Sequence, residues 1–80
     1  MPTNLIPLRS LAMRRAASRL KSARTALGWS QEQAAEHLRE VASSRYGAPT
    51  VSRWENARSE VPAWVLEELE RVLAERKAAA

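Results

Sequence analysis

The chain has 80 residues, of which 45% are hydrophobic, and it carries a net charge of +4 with no cysteine. This length predicts one domain with a small core, and the lack of cysteine excludes disulfides and thiolate metal sites. His37 is the only histidine and there is no aspartate, so we expect neither an enzyme nor a metal or other cofactor. No apolar run approaches the roughly 18 residues that span a bilayer, which favours a cytoplasmic protein without a membrane segment.

The positive charge is concentrated at the N-terminal end. Residues 1–29 hold six basic side chains and no acidic one, whereas residues 30–61 hold four basic and five acidic ones. A one-sided positive field attracts polyanions, either nucleic acid or an acidic membrane surface. A solvated basic helix face is an equally good interpretation of the charge alone.

The N-terminal part divides into an arm and a helix. We expect residues 1–12 to form a flexible arm of basic and apolar residues. The apolar positions predict a helix that begins either at Pro7, which suits a first turn, or near Met13, a candidate alternative translation start. This helix ends at Leu27, and Gly28 follows as its capping residue.

The second helix follows Ser30, whose hydroxyl forms a capping box with Gln33 three residues later. Its apolar stripe predicts that it continues to about Arg45, before Gly47 breaks it.

Two more helices complete the predicted fold. The third has Pro49 in its first turn and runs to about Asn56, and Pro62 opens the last one, whose glutamates are expected on a solvated face. Residues 77–80 are expected to be a disordered tail, which leaves residues 13–76 as the domain. There is no strand-like alternation, so we predict an all-α bundle of four to five helices.

Two blocks of this pattern resemble the lambda-repressor/Cro type of helix-turn-helix, often called the XRE family. They are Ser-Gln-Glu at residues 30–32 and Ser-Arg-Trp-Glu-Asn at residues 52–56, and the similarity extends over residues 18–75. The resemblance implies a domain whose third helix enters the major groove of double-stranded DNA. It also implies a buried ion pair between Arg24 and Glu55 that ties the first helix to the third.

The chain departs from the family pattern at two places. About six extra residues follow Leu38, and we expect them to extend the second helix by over a turn and to lengthen its connection to the third. Ala57 stands where the family commonly has glycine in a left-handed turn. Either alanine costs about 1 kcal/mol there, or the turn has changed.

Helix geometry divides the third helix into two faces. At 100° per residue, Val51 and Trp54 point into the core, and the outward face comprises Pro49, Ser52, Arg53 and Asn56, with Thr50 at its flank. Arg53 is the one long donor in the middle of that face, and its guanidinium can bridge O6 and N7 of a guanine. We therefore expect base contacts from Arg53 and from its neighbours Ser52, Thr50 and Pro49.

Contacts with the phosphate backbone are expected from four other side chains. Gln31 lies at the N-terminus of the second helix, where N–H groups and the helix dipole favour an anion, and the resemblance assigns its amide to a phosphate. Gln33 is a weaker candidate because capping already accounts for it. By resemblance Asn56 and Arg58, at the end of the third helix, are further contacts that fix the register on DNA.

Trp64 projects from the polar side of the last helix, near Arg71. Either the N-terminal arm, with Leu5 and Ile6, folds over Trp64, or Trp64 and Arg71 belong to a dimer interface.

These features predict a regulator of transcription that binds double-stranded DNA in the cytoplasm, on the nucleoid of a bacterium or as a phage protein. We expect a homodimeric repressor that occludes a promoter by binding an inverted repeat. The alternative is a protein-binding module, an antitoxin or adaptor, that holds a partner protein through Trp64 or the extended second helix.

Overall fold

The computed structural model describes residues 8–79, and within them it contains four helices and no strand. The helices are α1 (Leu8–Ala26), α2 (Gln31–Ala42), α3 (Ala48–Glu55) and α4 (Ala63–Ala79). The predicted all-α class is confirmed. The predictions for Leu5, Ile6 and a helix start at Pro7 fall outside the described residues.

Helix α1 takes in part of the segment that we expected to be an arm. It begins at Leu8, so residues 8–12 are helical and Met13 lies inside the helix. The physical reason is that the apolar spacing of three and four residues continues upstream of Met13. Leu11 is half-buried and Ala16 packs against the core, so the buried stripe extends toward the N-terminus.

At its other end, α1 terminates where the sequence predicts. Gly28 adopts a left-handed conformation with φ of 75°. The N–H of Trp29 donates to the carbonyl of Arg24 (3.1 Å), and that of Gly28 donates to Thr25 (3.0 Å). These are the two hydrogen bonds of a Schellman cap, which favours glycine because a Cβ clashes in this conformation.

The capping box of α2 is present as predicted. The backbone N–H of Gln33 donates to Oγ of Ser30 (3.0 Å), and the backbone N–H of Ser30 donates to Oε1 of Gln33 (2.8 Å). These bonds pair two backbone donors that would otherwise lack a partner at the helix start.

Helix α2 ends earlier than we predicted. Its last residue is Ala42 rather than a residue near Arg45, because Ser43 turns into the left-handed region with φ of 51°. The helix therefore continues for one turn beyond Leu38. The rest of the extra sequence forms an irregular connection at residues 43–47, which we call the insertion loop.

The turn after α3 keeps its left-handed residue although that residue is alanine. Ala57 has φ of 55°. The N–H of Arg58 donates to the carbonyl of Arg53 (2.9 Å), and that of Ala57 donates to Trp54 (3.1 Å). Of the two alternatives for Ala57, the structure shows the first: the turn is left-handed and carries the steric cost of a Cβ.

Helix α4 continues to Ala79, so residues 77–79 are helical rather than disordered. No glycine or proline after Ala63 breaks the helix, and the basic residues in its last turn interact favourably with the negative end of the helix dipole. Arg76 also donates from Nη1 to the carbonyl of Leu27 (2.9 Å), which ties this end of α4 to the cap of α1.

One apolar stripe from each helix forms the core. The largest fully buried side chains are Leu20 of α1, Leu38 of α2, Val51 of α3, and Val65 and Leu69 of α4. This packing holds the short α3 against the other helices, so its remaining face is turned outward.

Candidate nucleic-acid interface

The two faces of α3 are arranged as helix geometry predicts. Val51 is 0% exposed and Trp54 is 3% exposed, so both belong to the core. The polar and small residues lie on the other side, where Pro49, Arg53 and Asn56 are exposed and Thr50 and Ser52 are half-buried. The five side chains therefore form one continuous outward surface.

Arg53 is the longest side chain on this surface and is exposed. Among the described residues, no hydrogen bond or ion pair engages its guanidinium. Asn56 is more constrained, because its amide nitrogen donates to the backbone carbonyl of Ser52 (2.8 Å). The amide of Asn56 thus caps the end of α3, and its oxygen remains available as an acceptor.

An ion pair holds α3 to α1. The guanidinium of Arg24 contacts both carboxylate oxygens of Glu55, with Nη2 at 2.9 Å from Oε1, and its Nη1 donates to the carbonyl of Trp29 (2.8 Å). Only 13% of the Arg24 side chain and 4% of the Glu55 side chain are exposed. The hydrogen bonds that Arg24 donates to Glu55 are the main reason that the pKa of Arg24 lies above its usual value.

Gln31 joins the same network. Its Nε2 donates to Oε1 of Glu55 at 3.3 Å, a long hydrogen bond, and its side chain is half-buried. This contact places the Gln31 amide between the N-terminus of α2 and the C-terminal end of α3. Gln33 differs, because its side-chain oxygen is used by the capping box.

A second network joins α2 to the insertion loop. Arg39 donates from Nη1 to the carbonyl of Tyr46 (2.7 Å) and from Nη2 to Oε1 of Glu32 (2.9 Å). The bond from Arg39 is the main reason that the pKa of Glu32 lies below its usual value, and the backbone N–H of Ala48 contributes in the same direction. The carboxylate of Glu32 therefore lies near Ala48, the first residue of α3, where its negative charge interacts favourably with the positive end of the helix dipole.

Trp64 packs against Tyr46, a contact that the sequence did not predict. Its ring stacks on Tyr46 of the insertion loop, with centroids 6.1 Å apart, and Tyr46 meets Trp54 edge-on at 4.7 Å. Tyr46 was missed because it lies in the extra sequence, whose path no periodicity predicts. Arg71 is also engaged within its own helix, where it bonds to Glu68 and Glu75.

Glu68 is not on a solvated face, contrary to our expectation for the glutamates of α4. Its side chain is 11% exposed, and its Oε2 lies 2.7 Å from Nε2 of His37 on α2. The His37 ring in turn packs against Trp29, at 5.0 Å between centroids. Only the tertiary arrangement of α2 and α4 brings Glu68 and His37 together.

Unpaired positive charge surrounds α3. Residues 43–59 contain three arginines, Arg45, Arg53 and Arg58, all exposed and none in an ion pair with a described residue. The only acidic residue in this segment is Glu55, which Arg24 neutralises. The outward surface of α3 therefore has a local excess of positive charge, which suits a polyanionic partner.

Other kinds of site find no support in the described part of the chain. Residues 8–79 contain no group of three or more histidine, cysteine, aspartate or glutamate side chains with the arrangement of a metal site. None of the helices described is long and apolar enough to cross a membrane.

Comparison with known proteins gives one match. Residues 13–77 match a family model described as a helix-turn-helix domain. No curated protein and no solved structure matches the chain.

Proposed function

Because this chain belongs to the family of helix-turn-helix domains, we propose that it is a transcriptional regulator that recognises a specific sequence in double-stranded DNA. The observation that carries the proposal is the outward surface of α3, where a free Arg53 stands among Pro49, Thr50 and Ser52. An exposed helix with this surface fits the major groove, where each base pair presents a distinct pattern of donors and acceptors.

Within this surface, Arg53 reads a guanine and the smaller side chains contact neighbouring base edges or a thymine methyl group. The first turn of α3, Ala48 and Pro49, has no polar side chain, so part of the discrimination comes from DNA shape. Gln31, Asn56 and Arg58 bind phosphates, with Gln33 as a secondary contact. Such contacts fix the register and orientation of the domain on the duplex.

The gene-regulatory mode that we propose is repression by a homodimer in the cytoplasm, on the nucleoid. Two copies related by a two-fold axis would place their α3 helices in successive major grooves about 34 Å apart, on an inverted repeat. A dimer bound in this way would repress by occluding a promoter that overlaps the repeat. The basic residues of the N-terminal segment add phosphate or minor-groove contacts.

The proposal is tested by selecting random duplex DNA with the purified protein at about 150 mM salt, where weak electrostatic binding is suppressed. We expect an enriched inverted repeat whose half-sites are separated by about one helical turn. A single enriched half-site would support sequence-specific binding and contradict the dimer. A bound pool without a shared sequence would contradict the proposal itself.

The alternative of an antitoxin or adaptor is less well supported. Trp64, one of its two expected anchors, is stacked on Tyr46. The extended end of α2 exposes Val41, at 49%, as the one large hydrophobic residue exposed in the described region. A stable interface buries about 800 Å² on each partner, far more than one valine offers. Co-purification of a stoichiometric partner that blocks DNA selection would favour this alternative.

A further inference from the structure

The insertion loop at residues 43–47 separates α2 from α3. In the family pattern a short turn stands at this point, and here the extra residues bring one more cation, Arg45, to the start of the proposed reading helix. We propose that Arg45 is a phosphate-binding residue that the insertion adds to the DNA interface. The inference rests on the proposed DNA-binding function.

The loop is held in place by the two residues that follow Arg45. On its C-terminal side, the carbonyl of Tyr46 accepts a hydrogen bond from Arg39, and the Tyr46 ring packs against Trp54 and Trp64. The carbonyl of Gly47 then accepts the first backbone bonds of α3. A loop anchored in this way loses less conformational entropy when one of its side chains binds a ligand than a free loop does.

The side chains of the loop divide between inside and outside. Oγ of Ser44 is buried and has no hydrogen-bond partner among the described residues, and the Tyr46 ring packs inward. Arg45, between them, is exposed and forms no ion pair with another residue in the range 8–79. Arg45 is thus a cation directed to solvent from a fixed stretch of backbone.

The position of the loop brings Arg45 to the edge of the groove. Arg45 lies three positions before Ala48, the first residue of α3, so their Cα atoms lie at most about 11 Å apart. The major groove is about 12 Å wide and is bordered by phosphates. When the N-terminal end of α3 enters the groove, Arg45 therefore lies close to the backbone that borders it, outside the base pairs that α3 reads.

The test compares the wild-type protein with Arg45→Ala and a charge-matched control, Lys77→Ala. Lys77 is also exposed, but it lines a groove between α1 and α4. On α1, the residues that line this groove lie on the side of the helix opposite Arg24, and Arg24 faces α3. Lys77 therefore lies on the side of the domain away from α3. Dissociation constants are measured over a range of salt concentrations, on the duplex selected above and on a scrambled duplex of equal length.

We expect Arg45→Ala to weaken binding to both duplexes by the same factor and to reduce the slope of log K against log salt by about 0.9, while Lys77→Ala leaves the slope unchanged. An unchanged slope for Arg45→Ala would overturn the inference. A loss confined to the selected duplex would also overturn it, because Arg45 would then read a base. If the wild-type protein itself shows no sequence-dependent binding, it is the proposed function that fails.

Discussion

Two helices of this domain end in the same left-handed turn, one with glycine and the other with alanine. Gly28 follows α1 with φ of 75°, and Ala57 follows α3 with φ of 55°. The backbone hydrogen bonds of the two turns are equivalent, so the difference between them is the Cβ of Ala57. In this conformation a Cβ approaches the neighbouring carbonyl and costs about 1 kcal/mol.

We predict that Ala57→Gly raises the free energy of unfolding by about 0.5–1 kcal/mol, because it removes this Cβ clash. Gly28→Ala is the matched change in the opposite direction. Apart from its chain neighbours, a Cβ at Gly28 would meet no atom within 4 Å, so a loss in that variant reports the local backbone conformation and not a clash with the rest of the fold. Urea unfolding of both variants measures the two effects, and a loss of stability in Ala57→Gly would contradict this account.

The Arg24–Glu55 pair gives a second prediction at the scale of single residues. We expect Glu55→Gln to cost about 3–5 kcal/mol, because it leaves the mostly buried guanidinium of Arg24 without a counter-charge. In a domain of this size such a loss is seen as a large decrease in the thermal midpoint.

The control for Glu55→Gln is Glu70→Gln, which breaks an ion pair with Arg19 whose side chains are 58% and 40% exposed. An exposed pair contributes about 0–1 kcal/mol. Similar melting temperatures for the two variants would show that burial of the Arg24–Glu55 pair does not determine its contribution.

Helix α3 is divided between a buried face, which contains Val51 and Trp54, and an outward face. We predict that Arg53→Ala weakens binding to the selected sequence by about 1–3 kcal/mol and leaves binding to unrelated duplexes nearly unchanged. The reason is that a contact with guanine is lost only where that guanine is present. Titration of both duplexes at one salt concentration measures the difference, and an equal loss on both would make Arg53 a phosphate contact.

At the scale of helices, the connection between α2 and α3 is the part of the fold that the sequence did not predict correctly. The capping box at Ser30 and the cap at Gly28 depend on residues close in the chain, and both were predicted correctly. The end of α2 was placed too late because no cap or breaker signal marks Ser43, and its left-handed conformation accompanies the docking of Tyr46 on Trp54 and Trp64.

At the scale of the whole molecule, Glu68 links α4 to α2. Its carboxylate bonds to Arg71 of its own helix and to His37 of α2. The bond from Arg71, and after it that from His37, lowers the pKa of Glu68 below its usual value of 4.5. A carboxyl whose pKa is lowered in the folded state contributes its full stabilisation at pH values above the usual, unfolded-state pKa. The contribution is lost as the pH falls through the lowered pKa of the folded state.

We therefore predict that the stability of the wild-type protein decreases more steeply between about pH 5 and about pH 3 than that of Glu68→Gln, which has no carboxyl to titrate. Glu67→Gln is the control, since Glu67 is exposed and forms no hydrogen bond with a described residue. Urea unfolding across this pH range measures the slopes. Parallel curves for the wild type and Glu68→Gln would exclude Glu68 as a contributor to acid sensitivity.

What the sequence determined by itself was local or periodic. The spacing of apolar residues predicted an all-α bundle of four to five helices and the buried and outward faces of α3, and residues 30–32 and 52–56 predicted the helix-turn-helix family. These features follow from interactions within a few residues, which the order of amino acids specifies directly.

Only the tertiary structure decided which distant side chains meet. It placed Tyr46 over Trp64, bonded His37 to Glu68 and anchored the loop that presents Arg45. Each of these contacts depends on how two helices pack, and many partners are compatible with the same periodicity. Packing selects one of them because the alternatives would leave aromatic surface exposed or buried polar groups without a partner.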